Sequence, residues 1–177
     1  MTFLETPLPN VWLIESELLQ DERGYFTRFY CEEEYRARGL TSTFVQGSVS
    51  FNLRKGTLRG MHWQADPHGE AKLVRCTRGA IYDVVLDVRS ESPTYGRWHA
   101  VHLSADAHRS VFVPVGCAHG YQTLTDATEV TYEISVPYVA GSARGIRWDD
   151  PKFGIRWPKC ESRTLSARDS SFPDFDD

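Results

Sequence analysis

The chain contains 177 residues, of which 41% are hydrophobic and 25% are charged, a balance typical of one globular domain covering residues 1–177. Its net charge of −4 argues against nucleic acid or an anionic membrane as the main partner. Because the sequence has neither an apolar run long enough to span a membrane nor an N-terminal signal-peptide pattern, we expect a cytoplasmic protein.

Short runs of β-branched and aromatic residues, separated by Gly, Pro, Asp and Ser, predict a series of short strands. These strands cover residues 11–15, 43–49, 72–76, 80–88, 98–103, 110–113, 121–124 and 129–136. One helix is predicted over residues 31–38 and ends at Gly39. The polar C-terminal segment is expected to finish in mobile residues. So many short strands indicate an all-β sandwich or barrel.

The segment Arg-Gly-Met-His-Trp-Gln at residues 59–64 is similar to part of the metal-binding signature of cupin barrels. A metal-binding cupin carries His-x-His and, further along, a Glu and a Gly with six residues between them. Here the corresponding residues are His62, Gln64 and Lys72, with Gly79 in place. An amide and an ammonium replace two metal ligands, so the pattern points to a histidine base beside a fixed positive charge. We therefore expect no metal site and no cofactor.

Three residues are candidates for proton-transfer chemistry. The imidazole of His62 can accept a proton near neutral pH, although a lone histidine is more often a structural core residue. Lys72 points inward if it shares the strand face of Val74 and Cys76, and a buried ammonium then needs an anion. Tyr132 shares the apolar face of the last strand, where its hydroxyl needs a partner. An exposed Lys72 and a purely structural Tyr132 remain alternatives.

Three further residues are candidates for binding an oxyanion or lining the pocket. Arg23 and Arg59 each precede a glycine, and arginine binds phosphates through paired hydrogen bonds. His119 ends a Pro-x-Gly-x-x-His turn at the rim of the predicted barrel. Each of the three, taken alone, also fits an ordinary structural role. Together with a base, an acid and an inward lysine, they fit proton removal beside a carbonyl and reprotonation from the opposite face.

Residues 11–169 resemble the dTDP-4-dehydrorhamnose 3,5-epimerase family, enzymes of the cupin fold that act on nucleotide-linked 4-keto-6-deoxy sugars. The resemblance rests on several motifs that occur in the same order: Asp-Glu-Arg-Gly-Tyr-Phe at 21–26, Leu-Arg-Gly-Met-His-Trp-Gln at 58–64, Lys-Leu-Val-Arg at 72–75, Pro-Val-Gly-Cys-Ala-His-Gly at 114–120, Arg-Gly-Ile-Arg-Trp-Asp-Asp-Pro at 144–151 and Leu-Ser-Ala-Arg-Asp at 165–169. It implies a cupin-type jelly-roll barrel with a few short peripheral helices.

The resemblance also implies roles for individual residues. His62 is the base, oriented by Asp169, while Tyr132 is the acid and Lys72 lies near the keto oxygen. The residues expected around the sugar, the diphosphate and the nucleotide base are Arg23, Phe26, Gln46, Arg59, His119, Tyr138 and Arg168. Arg168 stands where the family usually has a lysine. Family members are dimers in which an N-terminal segment completes the partner's site, so Arg23 and Phe26 are expected to serve the partner.

Two positions and one short segment depart from the family pattern, and the two positions tend to lie near the nucleotide. Arg28 and Ala143 occupy positions where many members carry a glutamate, and the family's Gln-Asp-Asn becomes Gln-Gly-Ser at residues 46–48. The proton-transfer residues are all present, so we expect 3,5-epimerisation of dTDP-4-dehydro-6-deoxyglucose, with the nucleotide open. The alternatives are a mono-epimerase on another nucleotide sugar and a non-catalytic sugar-nucleotide binding cupin. A metal-dependent oxygenase is a third alternative, but Gln64 and Lys72 argue against it because they replace metal ligands.

Overall fold

A computed structural model of the protein describes residues 1–176 and is built mainly from antiparallel strands. In chain order the strands are β1 (Thr2–Glu5), β2 (Trp12–Glu15), β3 (Leu18–Asp21), β4 (Gly24–Thr27), β5 (Gln46–Asn52), β6 (Leu58–Gln64), β7 (Lys72–Arg78), β8 (Ala80–Asp87), β9 (Trp98–Ser104), β10 (Arg109–Val113), β11 (Cys117–Thr123), β12 (Thr128–Ile134) and β13 (Ala143–Gly145). Two short helices, α1 (Glu32–Arg36) and α2 (Ala167–Ser170), lie outside the sheets. The prediction of an all-β fold with a few short helices is confirmed.

The strands form two facing sheets and one separate hairpin. The first sheet has the order β1-β2-β10-β7-β12-β5, and the second has the order β13-β6-β11-β8-β9. The hairpin consists of β3 and β4. Apolar side chains from both sheets meet between them, among them Val74, Val130, Ile81 and Val85. This shared core fixes the separation of the sheets, so that polar residues on the same inward faces can line a cavity.

Strand β8 is buried on both faces, as its alternation of residues allows. Ile81 and Val85 belong to the core between the sheets, whereas Val84 and Leu86 belong to a second apolar cluster. This second cluster includes aromatic residues from the C-terminal part of the chain, namely Phe153, Trp157 and Phe175. The C-terminal segment therefore covers the outer face of the second sheet. Within residues 1–176, no helix is long and apolar enough to cross a membrane.

Several boundaries differ from the sequence-based prediction. Strand β5 begins three residues later than predicted, β11 begins four residues earlier, and the prediction missed β6 altogether. The inward residues of β6 are polar because they line the cavity, which removes the apolar alternation from which strands are recognised. Helix α1 is shorter than predicted, and Gly39 follows it at a φ of +68°, in the left-handed region.

The sequence favoured mobile residues at the C-terminus, whereas the structure attaches the C-terminal segment at several points as far as Phe175. The Phe172 ring packs edge-on against His62, and the Phe175 ring packs against Phe153. The backbone N–H of Phe175 donates a hydrogen bond of 2.7 Å to Asp150. Asp177 lies outside the described residues. The attachment keeps the segment that precedes Phe172 against β6.

Candidate active site

A cavity of about 460 Å³ opens between the two sheets at one end of the barrel, within the range of small-molecule sites. Strands β5, β7 and β12 of the first sheet and β6 and β11 of the second contribute its walls. The residues predicted for the site that line this cavity are Arg59, His62, Lys72, His119, Tyr132, Tyr138, Arg168 and Asp169. Charged and aromatic groups from distant parts of the chain thus converge on one volume.

His62 and Asp169 form a hydrogen-bonded pair at the cavity wall. The distance between His62 Nε2 and Asp169 Oδ1 is 2.7 Å. The His62 side chain is 37% exposed to the cavity side, whereas that of Asp169 is 6% exposed. Because Nε2 faces the carboxylate, it carries the proton of the neutral ring, and Nδ1 keeps a free lone pair. The arrangement suits a base whose positive charge is stabilised once it has accepted a proton.

The N-terminus of α2 and strand β6 together hold Asp169 in place. Ser166 caps α2 by accepting a hydrogen bond of 3.0 Å from the backbone N–H of Asp169, and Gly60 N–H donates to Asp169 Oδ2 at 3.3 Å. Burial acts to raise the pKa of Asp169, but hydrogen bonds from His62, Gly60 and Ser166 outweigh it and hold the pKa below its usual value. Asp169 is therefore a carboxylate at neutral pH.

Lys72 points inward from the start of β7, on the face that Val74 and Cys76 share with the core. Its ammonium forms an ion pair with Glu70, with 2.8 Å between Nζ and Oε1, and donates to the backbone oxygen of His62 at 3.2 Å. The alternative of an exposed Lys72 is wrong. Our sequence reasoning required an anion for a buried lysine but did not identify Glu70, which lies two residues earlier in the chain.

Tyr132 projects into the cavity from β12, on the sheet opposite His62. In the register of the sheet it lies between Ser48 of β5 and Val74 of β7. Burial raises the pKa of the Tyr132 hydroxyl well above its usual value, and the neighbouring Tyr121 hydroxyl acts in the same direction. The hydroxyl therefore keeps its proton across neutral and mildly alkaline pH, as a proton donor must.

A second imidazole–carboxylate pair lies beside the first. His119 on β11 is directly opposite His62 on β6 in the strand register. Its Nε2 is 2.8 Å from Oδ2 of Asp83, and both side chains are almost fully buried. The sequence alone did not identify Asp83 as the partner of His119. Since β8 pairs with β11, Asp83 fixes the orientation of a histidine that lines the cavity.

Arg59 is held at the cavity by a short polar network. Its Nε donates to Asn52 Oδ1 at 2.8 Å, and Asn52 in turn contacts the buried hydroxyl of Tyr121 at 3.1 Å. Tyr121 also exchanges a hydrogen bond of 2.9 Å with Ser50. Within the described residues 1–176, the outer nitrogens of the Arg59 guanidinium have no hydrogen-bond partner and are available to an anion. Arg168, on α2, adds a second guanidinium to the same cavity wall.

Gln64 stands at the position of a cupin metal ligand. The hydrogen bonds of its side-chain amide all go to backbone groups near the cavity. Its amide nitrogen donates to His68 O and Pro137 O, and its oxygen accepts from Val139 N–H at 2.6 Å. The Lys72 ammonium occupies a second position of the metal signature and cannot act as a ligand while protonated. Across residues 1–176, no group of three or more His, Cys, Asp or Glu side chains is arranged to hold a metal ion.

The structure does not bring every predicted residue into the cavity of its own chain. Arg23 lies on the β3–β4 hairpin with 85% of its side chain exposed and paired with Asp21. Phe26 and Arg28 line a separate surface depression, together with Met1 and Glu34. Gln46 does not line the cavity but accepts a hydrogen bond of 2.6 Å from the backbone N–H of Tyr138, which does.

Comparison with known proteins agrees with this fold and identifies its family. A family model described as dTDP-4-dehydrorhamnose 3,5-epimerase matches residues 5–177. The epimerase of that name from Sinorhizobium fredii is 43% identical over 173 residues, which are 98% of this chain and 89% of the relative. The solved Bacillus anthracis epimerase, with TDP and PPi bound, superposes with a TM-score of 0.93 at 40% identity, covering 97% of this chain and 98% of the other.

A third similar protein, ChmJ from Streptomyces bikiniensis, was solved in complex with dTDP-quinovose and is described as a 3'-monoepimerase. It superposes with a TM-score of 0.89 at 32% identity, covering 95% of this chain and 85% of the other. The two facing sheets and the cavity between them thus define a cupin-type jelly roll of the carbohydrate-epimerase class. Within that class, the chain belongs to the dTDP-4-dehydrorhamnose 3,5-epimerase family.

Proposed function

We propose that this epimerase inverts C3 and C5 of dTDP-4-dehydro-6-deoxyglucose, acting as a single domain over residues 1–177 in the cytoplasm. The observation that carries the proposal is the placement of two proton-transfer groups on opposite sheets. His62, which is paired with Asp169 of α2, projects from one sheet and Tyr132 from the other, with Lys72 in the same cavity. A sugar ring held between the sheets has one face toward each group.

The reaction begins when Nδ1 of His62 removes the proton from a carbon next to the C4 ketone. The electron pair moves into the enolate, and the new imidazolium is stabilised by the carboxylate of Asp169. Negative charge collects on the C4 oxygen, where the Lys72 ammonium stabilises it without transferring a proton. Tyr132 then delivers its proton to the opposite face of the carbon, which inverts the configuration.

The positive groups at the rim supply binding energy away from the reacting carbon. Arg59 and Arg168 line the cavity, and arginine binds phosphate oxygens through paired hydrogen bonds. Tyr138, whose side chain is 58% exposed, offers an aromatic surface for the nucleotide base. Binding of the diphosphate and base therefore holds the sugar between His62 and Tyr132.

Mono-epimerisation is the second candidate, favoured by the similarity to ChmJ, and one experiment separates the two. The protein is incubated in D2O with dTDP-, UDP-, CDP- and GDP-linked 4-keto-6-deoxyglucose, and NMR follows deuterium at C3 and C5. We expect exchange and inversion at both carbons of the dTDP sugar, because both flank the same ketone. Exchange at one carbon only would establish a mono-epimerase, and the absence of exchange with all four sugars would exclude the enzymatic proposal.

We also propose that two copies of the chain form a homodimer with shared active sites. Two exposed surfaces support it. The β3–β4 hairpin presents Phe26 with 68% of its surface exposed, and the free edge strand β5 presents Val49 and Phe51 beside the cavity, 66% and 45% exposed. Exposed apolar residues on an extended hairpin and an open sheet edge are the features of an interface rather than of a free surface.

Shared sites predict that two inactive variants restore activity when they are combined. Arg23→Ala should remove a clamp that one chain gives to its partner, and His62→Ala should remove the base. A mixture that is unfolded and refolded together contains dimers with one intact site, and we expect roughly a quarter of the unmodified activity. Each variant refolded alone is the control. A mixture no more active than its components, or a monomer in analytical ultracentrifugation, would contradict sharing.

A further inference from the structure

Glu70 lines the cavity but has no part in the proton transfers proposed above. Its carboxylate and the Lys72 ammonium are 2.8 Å apart, and each side chain is only 9% exposed. Taking two charged groups out of water costs free energy unless they are paired and hydrogen bonded. The pair is therefore a built feature of the cavity wall rather than a chance contact of surface side chains.

The Lys72 ammonium is held from two directions. An ammonium has three N–H donors, of which one contacts Glu70 and a second contacts the backbone oxygen of His62 at 3.2 Å. Glu70 precedes β7, whereas His62 lies on β6 of the other sheet. Because the nitrogen is tetrahedral, fixing two donors also fixes the third. That third donor has no acceptor among residues 1–176 and is available to a ligand in the cavity.

The segment that carries Glu70 is itself anchored. The backbone N–H of Ala71 donates to Ser135 Oγ at 2.9 Å, and Ser135 N–H donates to the Ala71 carbonyl at 3.0 Å. Both hydrogen bonds tie the residue between Glu70 and Lys72 to the end of β12. The carboxylate is thereby placed before a substrate arrives. A lysine has a long flexible stem, so a preorganised carboxylate beside it restricts where its charge can lie.

We propose that Glu70 is a positioning residue that holds the Lys72 ammonium where negative charge develops on the keto oxygen of the substrate. The inference rests on the proposed function, since it requires the keto oxygen to face Lys72. Charge on that oxygen grows between the bound substrate and the transition state. A displaced ammonium therefore lowers kcat, while the nucleotide diphosphate, which is bound elsewhere in the cavity, keeps its affinity.

The test combines kinetics with dTDP-4-keto-6-deoxyglucose and dTDP binding for Glu70→Ala, Lys72→Gln and the double variant, well below their unfolding temperatures. We expect Glu70→Ala to lower kcat by about 10- to 100-fold, because small displacements of a charged group have effects of this size. The Kd for dTDP should change by less than about twofold. In the Lys72→Gln background, Glu70→Ala should change kcat by less than about twofold, because Glu70 acts through Lys72.

Two results would overturn the proposal: single losses that multiply in the double variant, or an affinity for dTDP that falls as far as kcat. Glu70→Gln keeps an oxygen acceptor and is judged by the same criteria if Glu70→Ala leaves the buried lysine too costly for folding. Glu15→Gln is the matched control, since Glu15 pairs with Arg109 away from the cavity at 2.6 Å. Exchange by the unmodified protein tests the proposed function separately.

Discussion

Replacing His62 with Ala is expected to lower both deuterium exchange and epimerisation by about 10²- to 10⁴-fold, the usual contribution of a general base. Of the two imidazole–carboxylate pairs at the cavity, His62 with Asp169 is the accessible one, since the His62 side chain is 37% exposed and that of His119 is 4% exposed. The rates of exchange and of epimerisation should fall together, because both require removal of the carbon-bound proton. NMR in D2O and a coupled assay of the inverted product measure the two rates.

The control for His62→Ala is His102→Ala, which removes an exposed imidazole on β9 next to Tyr82. It should leave both rates unchanged. Asp169→Asn is an informative companion, since the amide still fits beside the imidazole but cannot stabilise its positive charge. Exchange at the unmodified rate in His62→Ala would show that another group is the base and would remove the main support for the mechanism.

Tyr132→Phe should separate exchange from inversion. The ring and its packing against His119 are kept, and only the hydroxyl is lost. His62 can still remove the proton and return a deuteron to the same face, so we expect exchange within about tenfold of the normal rate. Inversion should fall by about 10²- to 10⁴-fold because the opposite face has lost its acid. Comparing deuterium incorporation with product configuration in one NMR experiment measures both.

Tyr82→Phe provides the matched control for this prediction, since Tyr82 lies on the outward face of β8 among the second apolar cluster. It should change neither exchange nor inversion. If Tyr132→Phe inverts its substrate at the normal rate, the acid is a different group. Loss of exchange as well as inversion would instead mean that Tyr132 helps to bind or orient the substrate before the first proton transfer.

The sequence predicted most of what alternation of residues can reveal. Strand β8 shows this best: its alternation predicted a strand over residues 80–88, and in the structure its two sets of side chains lie in two different apolar clusters. Alternation also raised the inward direction of Lys72 as one of two alternatives, and the structure confirms it on the face of Val74 and Cys76. The alternation of apolar and polar residues indicates which face of a strand is buried, and for β8 it was sufficient to predict the strand.

Contacts between distant elements could not be predicted in the same way. The carboxylates of Glu70 and Asp83 became partners of cavity residues only through the folding of the chain, although each lies on a predicted strand or next to one. Asp169 was assigned through the family resemblance, since 107 positions separate it from His62 and no local pattern joins them. The geometry of β6 was hidden because its polar residues belong to the cavity.

The close approach of β6 and β11 limits how this cavity could be adapted to other sugars. A side chain added at Gly60, whose φ is +127°, would place its first carbon 2.5 Å from the backbone of Gly120. The strands that carry His62 and His119 therefore leave no room for a side chain between them at this point. Changes in substrate scope would have to come from the opposite wall. There Ser48 of β5 presents a small side chain to the cavity, on a strand that pairs with neither β6 nor β11.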